Sequence, residues 1–270
     1  MTMERLTRLF INTFGSTPDS VSVIAGSGSN RSYYRMKVGD ETCIGVIGTD
    51  ADENRAFVAE SRHFHEVGLP VPQVISVSED YNCYLQNDLG DNILYDMVAL
   101  AHKGDGFGEG LVDLLCNTIA VLPKLQFEGA ARFDFAVCYP EPEFSRQMVM
   151  FDLNYFKYCF LKPSGLEFNE VRLQDDLERF ADDLIAASTL RDKDGRQYEG
   201  ATFMYRDFQS RNVMICNGNP YFIDFQGGRK GPIYYDVASF VWHARSDYPT
   251  DVKKMMVDAY LESMKEYLAP

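Results

Sequence analysis

The stretch Met204-Tyr205-Arg206-Asp207-Phe208-Gln209-Ser210-Arg211-Asn212, followed by Tyr221-Phe222-Ile223-Asp224-Phe225-Gln226, constrains the fold more than any other part of the chain. An aspartate is followed five residues later by an asparagine, and a second aspartate closes a strand-like run twelve residues beyond that. Phosphoryl transfer from a metal-bound nucleotide requires these polar groups. One carboxylate orients a hydroxyl and accepts its proton, while an amide oxygen and a second carboxylate hold magnesium against phosphate oxygens. Val213-Met214-Ile215-Cys216 and Tyr221-Phe222-Ile223 are short apolar runs of strand type, and Asn217-Gly218-Asn219-Pro220 between them is turn chemistry. A hairpin here brings Asn212 and Asp224 to the same end. Either half alone is a common pattern. The weight lies in their order, with Arg211 before the asparagine and Gly231-Pro232-Ile233-Tyr234-Tyr235-Asp236-Val237-Ala238-Ser239 after the second aspartate.

Residues 205–212, 223–226 and 231–238 resemble the aminoglycoside phosphotransferase and choline kinase branch of the protein-kinase-like fold. Within that branch, 205–212 and 224–226 are similar to the loops of bacterial anomeric kinases of N-acetylmuramate and N-acetylglucosamine. The resemblance implies an α+β, two-lobed fold: a small antiparallel sheet lobe with one helix over 1–87, and a larger, mainly helical lobe over 88–270. It also implies ATP as co-substrate with Mg2+, Asp207 as catalytic base with Arg211 beside it, Asn212 and Asp224 as magnesium ligands, and Asp236 as a support for the catalytic loop. Two positions depart from the family. Tyr205 stands where a loop-propping histidine is usual, and Gln226 stands where many relatives carry a second acid, which leaves Asp224 as the main anionic ligand.

The N-terminal part reads as strands over 21–25, 33–38 and 41–47, with Gly26-Ser27-Gly28-Ser29-Asn30-Arg31-Ser32 as the first turn. Gly26, Ser27 and Gly28 are candidate phosphate contacts, because backbone amides in such a turn can approach phosphate oxygens without intervening side chains. The third strand, Cys43-Ile44-Gly45-Val46-Ile47-Gly48, lacks the lysine that relatives use to hold the phosphates. Glu60, in a helix expected over 53–67, supplies the glutamate that lysine would pair with, and Arg31, Arg35 and Lys37 are the cations available instead. Two further strands are expected over 73–77 and 83–86, then a hinge at Asn87-Asp88-Leu89-Gly90 that puts Gln86 and Asn87 at the nucleotide base.

Beyond the hinge, helical patterns are longest over 111–125, 143–162, 167–190 and 249–268. The aromatic group Phe151, Tyr155, Phe156, Tyr158 and Phe160 reads as helix core, with Asp152 and Tyr155 as candidate acceptor contacts because the family places such contacts in this insertion. His63 and His65 point to different helix faces, which disfavours a metal pair. A net charge of −14 argues against nucleic acid as a partner. Six cysteines without a Cys-x-x-Cys pair fit reduced thiols in the cytoplasm. Residues 1–15 lack a signal-type core, and no run is expected to reach the roughly 20 apolar residues of a membrane helix.

The expectation is a kinase of a small hydroxyl-bearing molecule, with protein partners unspecified. An N-acetyl amino sugar is the leading acceptor, followed by an aminoglycoside, choline or another amino alcohol. A nucleotide-binding pseudokinase with a regulatory role is the alternative outside catalysis, motivated by the absent lysine and by Gln226.

Overall fold

The computed structural model describes residues 2–24, 30–104, 106–186 and 190–268. It opens with a helix absent from the expectations above, α1 (Thr2–Phe14). The sheet that follows comprises β1 (Ser20–Ile24), β2 (Ser32–Val38), β3 (Glu41–Ile47), β4 (Val74–Val77) and β5 (Cys83–Asn87), in the antiparallel order β1-β2-β3-β5-β4. Alternation along the strands gives the sheet two apolar faces. One takes α1, with Leu6 and Phe10 buried against Met36, Cys43, Ile47, Cys83 and Leu85. The approach is close enough to require Gly45, where a Cβ would lie 2.8 Å from Met36 Sδ and 2.9 Å from Leu6. The other face, carrying Ile44, Val46 and Tyr84, joins the main core.

Helix α2 (Ala51–Glu66) crosses that second face, capped by Asp50, whose side chain accepts from the Asp52 and Glu53 amides at 3.0 and 3.1 Å. Beyond the hinge come α3 (Leu94–Lys103), α4 (Glu109–Ala120), α5 (Leu122–Phe127), α6 (Arg146–Phe156), α7 (Glu170–Ala186), α8 (Ile233–Val241) and α9 (Thr250–Met264). Two short ladders lie between α7 and α8: β6 (Phe203–Met204) with β9 (Arg229–Lys230), and β7 (Val213–Cys216) with β8 (Asn219–Phe222).

Several expected helices are interrupted. The 111–125 stretch is two helices, α4 and α5, parted at Val121 ahead of Pro123. The 143–162 stretch is α6 running into a π-helical segment at Lys157–Leu161. By length and composition alone Glu109–Phe127 is long and apolar enough to cross a membrane, and half of that window is buried inside the fold. Its apolar side chains are spent on the protein core: α4 and α5 pack against α9, where Ser263 Oγ donates to the Ala120 carbonyl at 2.7 Å.

Candidate active site

The β7–β8 hairpin sets the geometry. Its loop is two residues long, because Cys216 pairs with Asn219, and Asn217 and Gly218 both take positive φ (50° and 78°). Pro220 therefore sits inside β8 rather than in the turn. The register brings Asn212 beside Ile223, whose amide donates to the Asn212 carbonyl at 3.0 Å. Asn212 Nδ2 donates to the Asp207 carbonyl at 2.9 Å, so the amide oxygen is the group left for the cavity that Asn212 and Asp224 both line. Asp224 stands at φ 67°, a left-handed conformation that aspartate tolerates better than most residues, and Gln226 Nε2 donates to its Oδ1 at 2.9 Å. One carboxylate and one amide oxygen make a hard-oxygen donor pair that suits magnesium, with phosphate oxygens and water to complete it.

The catalytic loop hangs from Asp236. This carboxylate is fully buried on α8 and accepts from the amides of Tyr205 and Arg206, each at 2.8 Å. Burial pushes its pKa up to about 7 despite those two bonds. Tyr205, also buried, donates its hydroxyl to the Ile223 carbonyl, so it ties the loop over 205–212 to the segment that carries Asp224. Phe225 packs between strand and helix: Phe57 of α2 stacks on it with centroids 5.0 Å apart, and on Tyr84 of β5 at the same distance. Asp207 is exposed and is not among the residues that line the cavity with Asn212 and Asp224. Desolvation first, then the charge of Asp224, raises its pKa, which makes it a stronger base.

A cavity of about 230 Å³ lies between sheet and hairpin, lined in part by Ile24, Ile44, Met214 and Ile223 and at one end by the hinge. Gln86, Asn87, Arg31, Arg35 and Arg211 line it as well. Arg35 is engaged at the hinge end, where it binds Asp88 at 2.6 Å and Asp91 at 2.8 Å. Lys37, at the far end of β2 opposite Ser20 and Thr42, is not among the lining residues. Gly26, Ser27 and Gly28 lie outside the described residues.

Two expectations are corrected. Glu60 does not line the cavity; it is fully buried behind it, near Arg229, Arg31 and the Cys138 thiol, and desolvation raises its pKa well above the usual carboxylate range. The aromatic group on α6 and the π-helical turn is not core, since Phe151, Tyr155 and Phe160 are 65%, 67% and 63% exposed. Its side chains project from a helix whose buried contact among the described residues is Val149. Asp152 is bound by Arg206 at 3.0 Å, which brings α6 to the catalytic loop, and its charge is felt at Asp207.

Two arginines were not assigned a role from sequence. Arg206, at φ 75° inside the catalytic loop, holds Asp152. Arg229 is buried and donates to the carbonyls of Gly227 and Tyr139, fixing the segment after the metal loop. The position of Arg206 beside Asp207 was a usable signal; nothing in the sequence marks Arg229.

A model of the APH phosphotransferase enzyme family matches residues 20–270. Among curated proteins, the N-acetylmuramate/N-acetylglucosamine kinase of Neisseria meningitidis serogroup B is 25% identical over 241 residues, covering 87% of this chain and 65% of the relative. The protein of the same description from Pseudomonas aeruginosa is 24% identical over 247 residues, covering 90% of this chain and 66% of the relative. The chain thus spans slightly less than two thirds of the length of these two relatives. Among solved structures, ADP-bound aminoglycoside phosphotransferase APH(2'')-Ib superposes with a TM-score of 0.61 at 13% identity, over 97% of this chain and 83% of that one. A thermostable mutant of APH(4)-Ia in complex with ADP and hygromycin B gives 0.56 at 15% identity, over 96% and 83%. At these identities the structural likeness establishes the protein-kinase-like fold.

Proposed function

Because the chain belongs to the APH phosphotransferase enzyme family, we propose that it transfers the terminal phosphoryl group of ATP to the anomeric hydroxyl of an N-acetyl amino sugar, N-acetylglucosamine or N-acetylmuramate. The observation that carries the acceptor is the likeness to N-acetylmuramate/N-acetylglucosamine kinases along 87 and 90% of the chain.

The chemistry is supported by the arrangement around Asp207. The acceptor hydroxyl sits against this carboxylate, which takes its proton as the oxygen attacks the terminal phosphorus. The bond from that phosphorus to the bridging oxygen breaks, and ADP leaves with the electron pair. Asn212 and Asp224 would hold Mg2+, which supplies charge neutralisation on the phosphate oxygens when bound. Asp236, by anchoring two successive amides, keeps the base at a fixed height in the cleft. Asp152, held by Arg206, presents a second carboxylate on the acceptor side, and Tyr155 supplies an exposed ring on the same helix. Sugars are commonly recognised by such pairing of a carboxylate with a ring.

A screen of magnesium-dependent ADP release tests the reading, using N-acetylglucosamine, N-acetylmuramate, an aminoglycoside and choline as acceptors. Release with the two N-acetyl sugars is expected. Release confined to the aminoglycoside or choline would replace the acceptor class, and nucleotide binding without release from any acceptor would favour a regulatory pseudokinase.

A further inference from the structure

The cavity-facing side of β3 carries Thr42, Ile44 and Val46, opposite the cavity residues Gln86 and Tyr84 of β5. None is basic. A triphosphate held in this cavity needs its cation from elsewhere on the lining, where Arg31, Arg35 and Arg211 are the arginines. Arg35 is neutralised beside the hinge by Asp88 and Asp91, and it also donates to the Gly90 carbonyl at 3.2 Å. Arg211 is exposed on the catalytic loop, and its charge acts on Asp207.

Arg31 is placed differently. It immediately precedes β2, on the side shared with Tyr33. Its side chain is 2% exposed, pairs with Glu53 Oε1 at 3.3 Å, and lies 5.6 Å from the centroid of the Phe57 ring. Both partners are on α2, Glu53 in its first turn, and the charge of Asp224 acts on Arg31 from the metal loop. A guanidinium so placed lines the same cavity as Asn212 and Asp224 and carries a planar fork suited to two phosphate oxygens.

Resting on the ATP-dependent reading above, we propose that Arg31 is the phosphate-gripping cation of this protein, and that Glu53 positions it. The cation has moved from the third strand to the head of the second, and its acidic partner from Glu60 to Glu53, seven residues and about two turns nearer the start of α2. Without a strand lysine to meet it, the Glu60 carboxyl remains buried behind the cavity, where the charges of Arg229 and Arg31 and the Cys138 thiol act on it.

Calorimetric titration of the full chain with magnesium-ATP and with adenosine tests this. Arg31→Gln is expected to weaken ATP binding by about tenfold to a hundredfold, the usual range for lost charge-assisted hydrogen bonds, and to leave adenosine binding unchanged. Arg31→Lys should fall between the two. Glu53→Gln should weaken ATP binding less, and should add little in the Arg31→Gln background because it acts through Arg31. Unchanged ATP affinity in Arg31→Gln would overturn the proposal, as would equal losses for ATP and adenosine, which mark a merely structural role. Full additivity of the two substitutions would overturn the part assigned to Glu53. A parent chain that binds adenosine or ATP not at all would overturn the nucleotide reading itself, and this proposal with it.

Discussion

Beneath the sheet, the cavity is lined by groups already tied to one another: Arg35 to Asp88 and Asp91, Arg31 to Glu53, and Phe57 stacked between Tyr84 and Phe225. Across the catalytic loop, α6 and the turn after it leave Phe151, Tyr155 and Phe160 in water, and the polar anchor there is the Asp152–Arg206 pair. The contrast separates two tasks. Tied groups cost little further ordering when a ligand arrives, so a donor common to many reactions is met by a preformed site. Exposed rings gain roughly 25 cal/mol for each Å² of apolar surface a ligand covers, so under the proposed function the choice of acceptor falls to the open side.

Asp207 stands between the two regions, and its loss should have the largest effect. Asp207→Asn should lower turnover by about 10²–10⁴-fold while nucleotide affinity and melting temperature stay near the parent's, measured by steady-state kinetics and thermal melting. Comparable turnover would show that the base is elsewhere.

The support beneath the base carries a pH signature. Folded Asp236 holds its proton up to about pH 7, whereas in the unfolded chain it would lose it near pH 4. The folded state therefore binds the extra proton between those values, and the stability this group contributes falls as pH rises through that window, by about 3–4 kcal/mol, then stays level. Melting of the parent and of Asp236→Asn from pH 4 to 8 should show a gap that narrows toward pH 7. A gap independent of pH would mean that Asp236 is charged throughout.

The donor side is sharpened by Asp224. Magnesium-ATP at a hundred times its Kd should stabilise the parent by about 2.7 kcal/mol, seen as a raised melting temperature, and Asp224→Ala should remove most of that rise. An equal rise in both, or one independent of magnesium, would break the assignment. On the open side, Asp152→Asn should raise the acceptor KM about tenfold, as expected for one lost charged hydrogen bond, and leave the ATP KM unchanged. Equal changes in both would erase the distinction between the two regions.

The same contrast decided what the sequence could disclose. The proposed donor site is assembled from short-range pattern: Asp207, Asn212 and Asp224 lie within one loop and one hairpin, so their proximity follows from the turn chemistry at Asn217-Gly218. The sheet was readable because its strands are short and rich in β-formers and the turn between β2 and β3 carries Gly39, at φ 58°. Helix α1 was legible too, although the expectations lack it: Met3, Leu6, Phe10 and Phe14 recur at helical spacing on one face, with Arg5 and Arg8 on the other. Helix α6 misled in the opposite sense. Aromatic residues at helical spacing normally report a core, and these lie on the surface, exposed among the described residues. The pairings of Arg206 with Asp152, and of Arg31 with Glu53, join residues 54 and 22 apart, which no local pattern encodes.

Phosphorus NMR of the product formed from magnesium-ATP and N-acetylglucosamine or N-acetylmuramate, before and after mild acid, tests the central claim most directly. A phosphate on the anomeric carbon is acid-labile, so the account predicts a sugar phosphate signal that disappears as inorganic phosphate appears. An acid-stable sugar phosphate would contradict transfer to the anomeric hydroxyl, and the absence of any sugar phosphate would contradict the acceptor class.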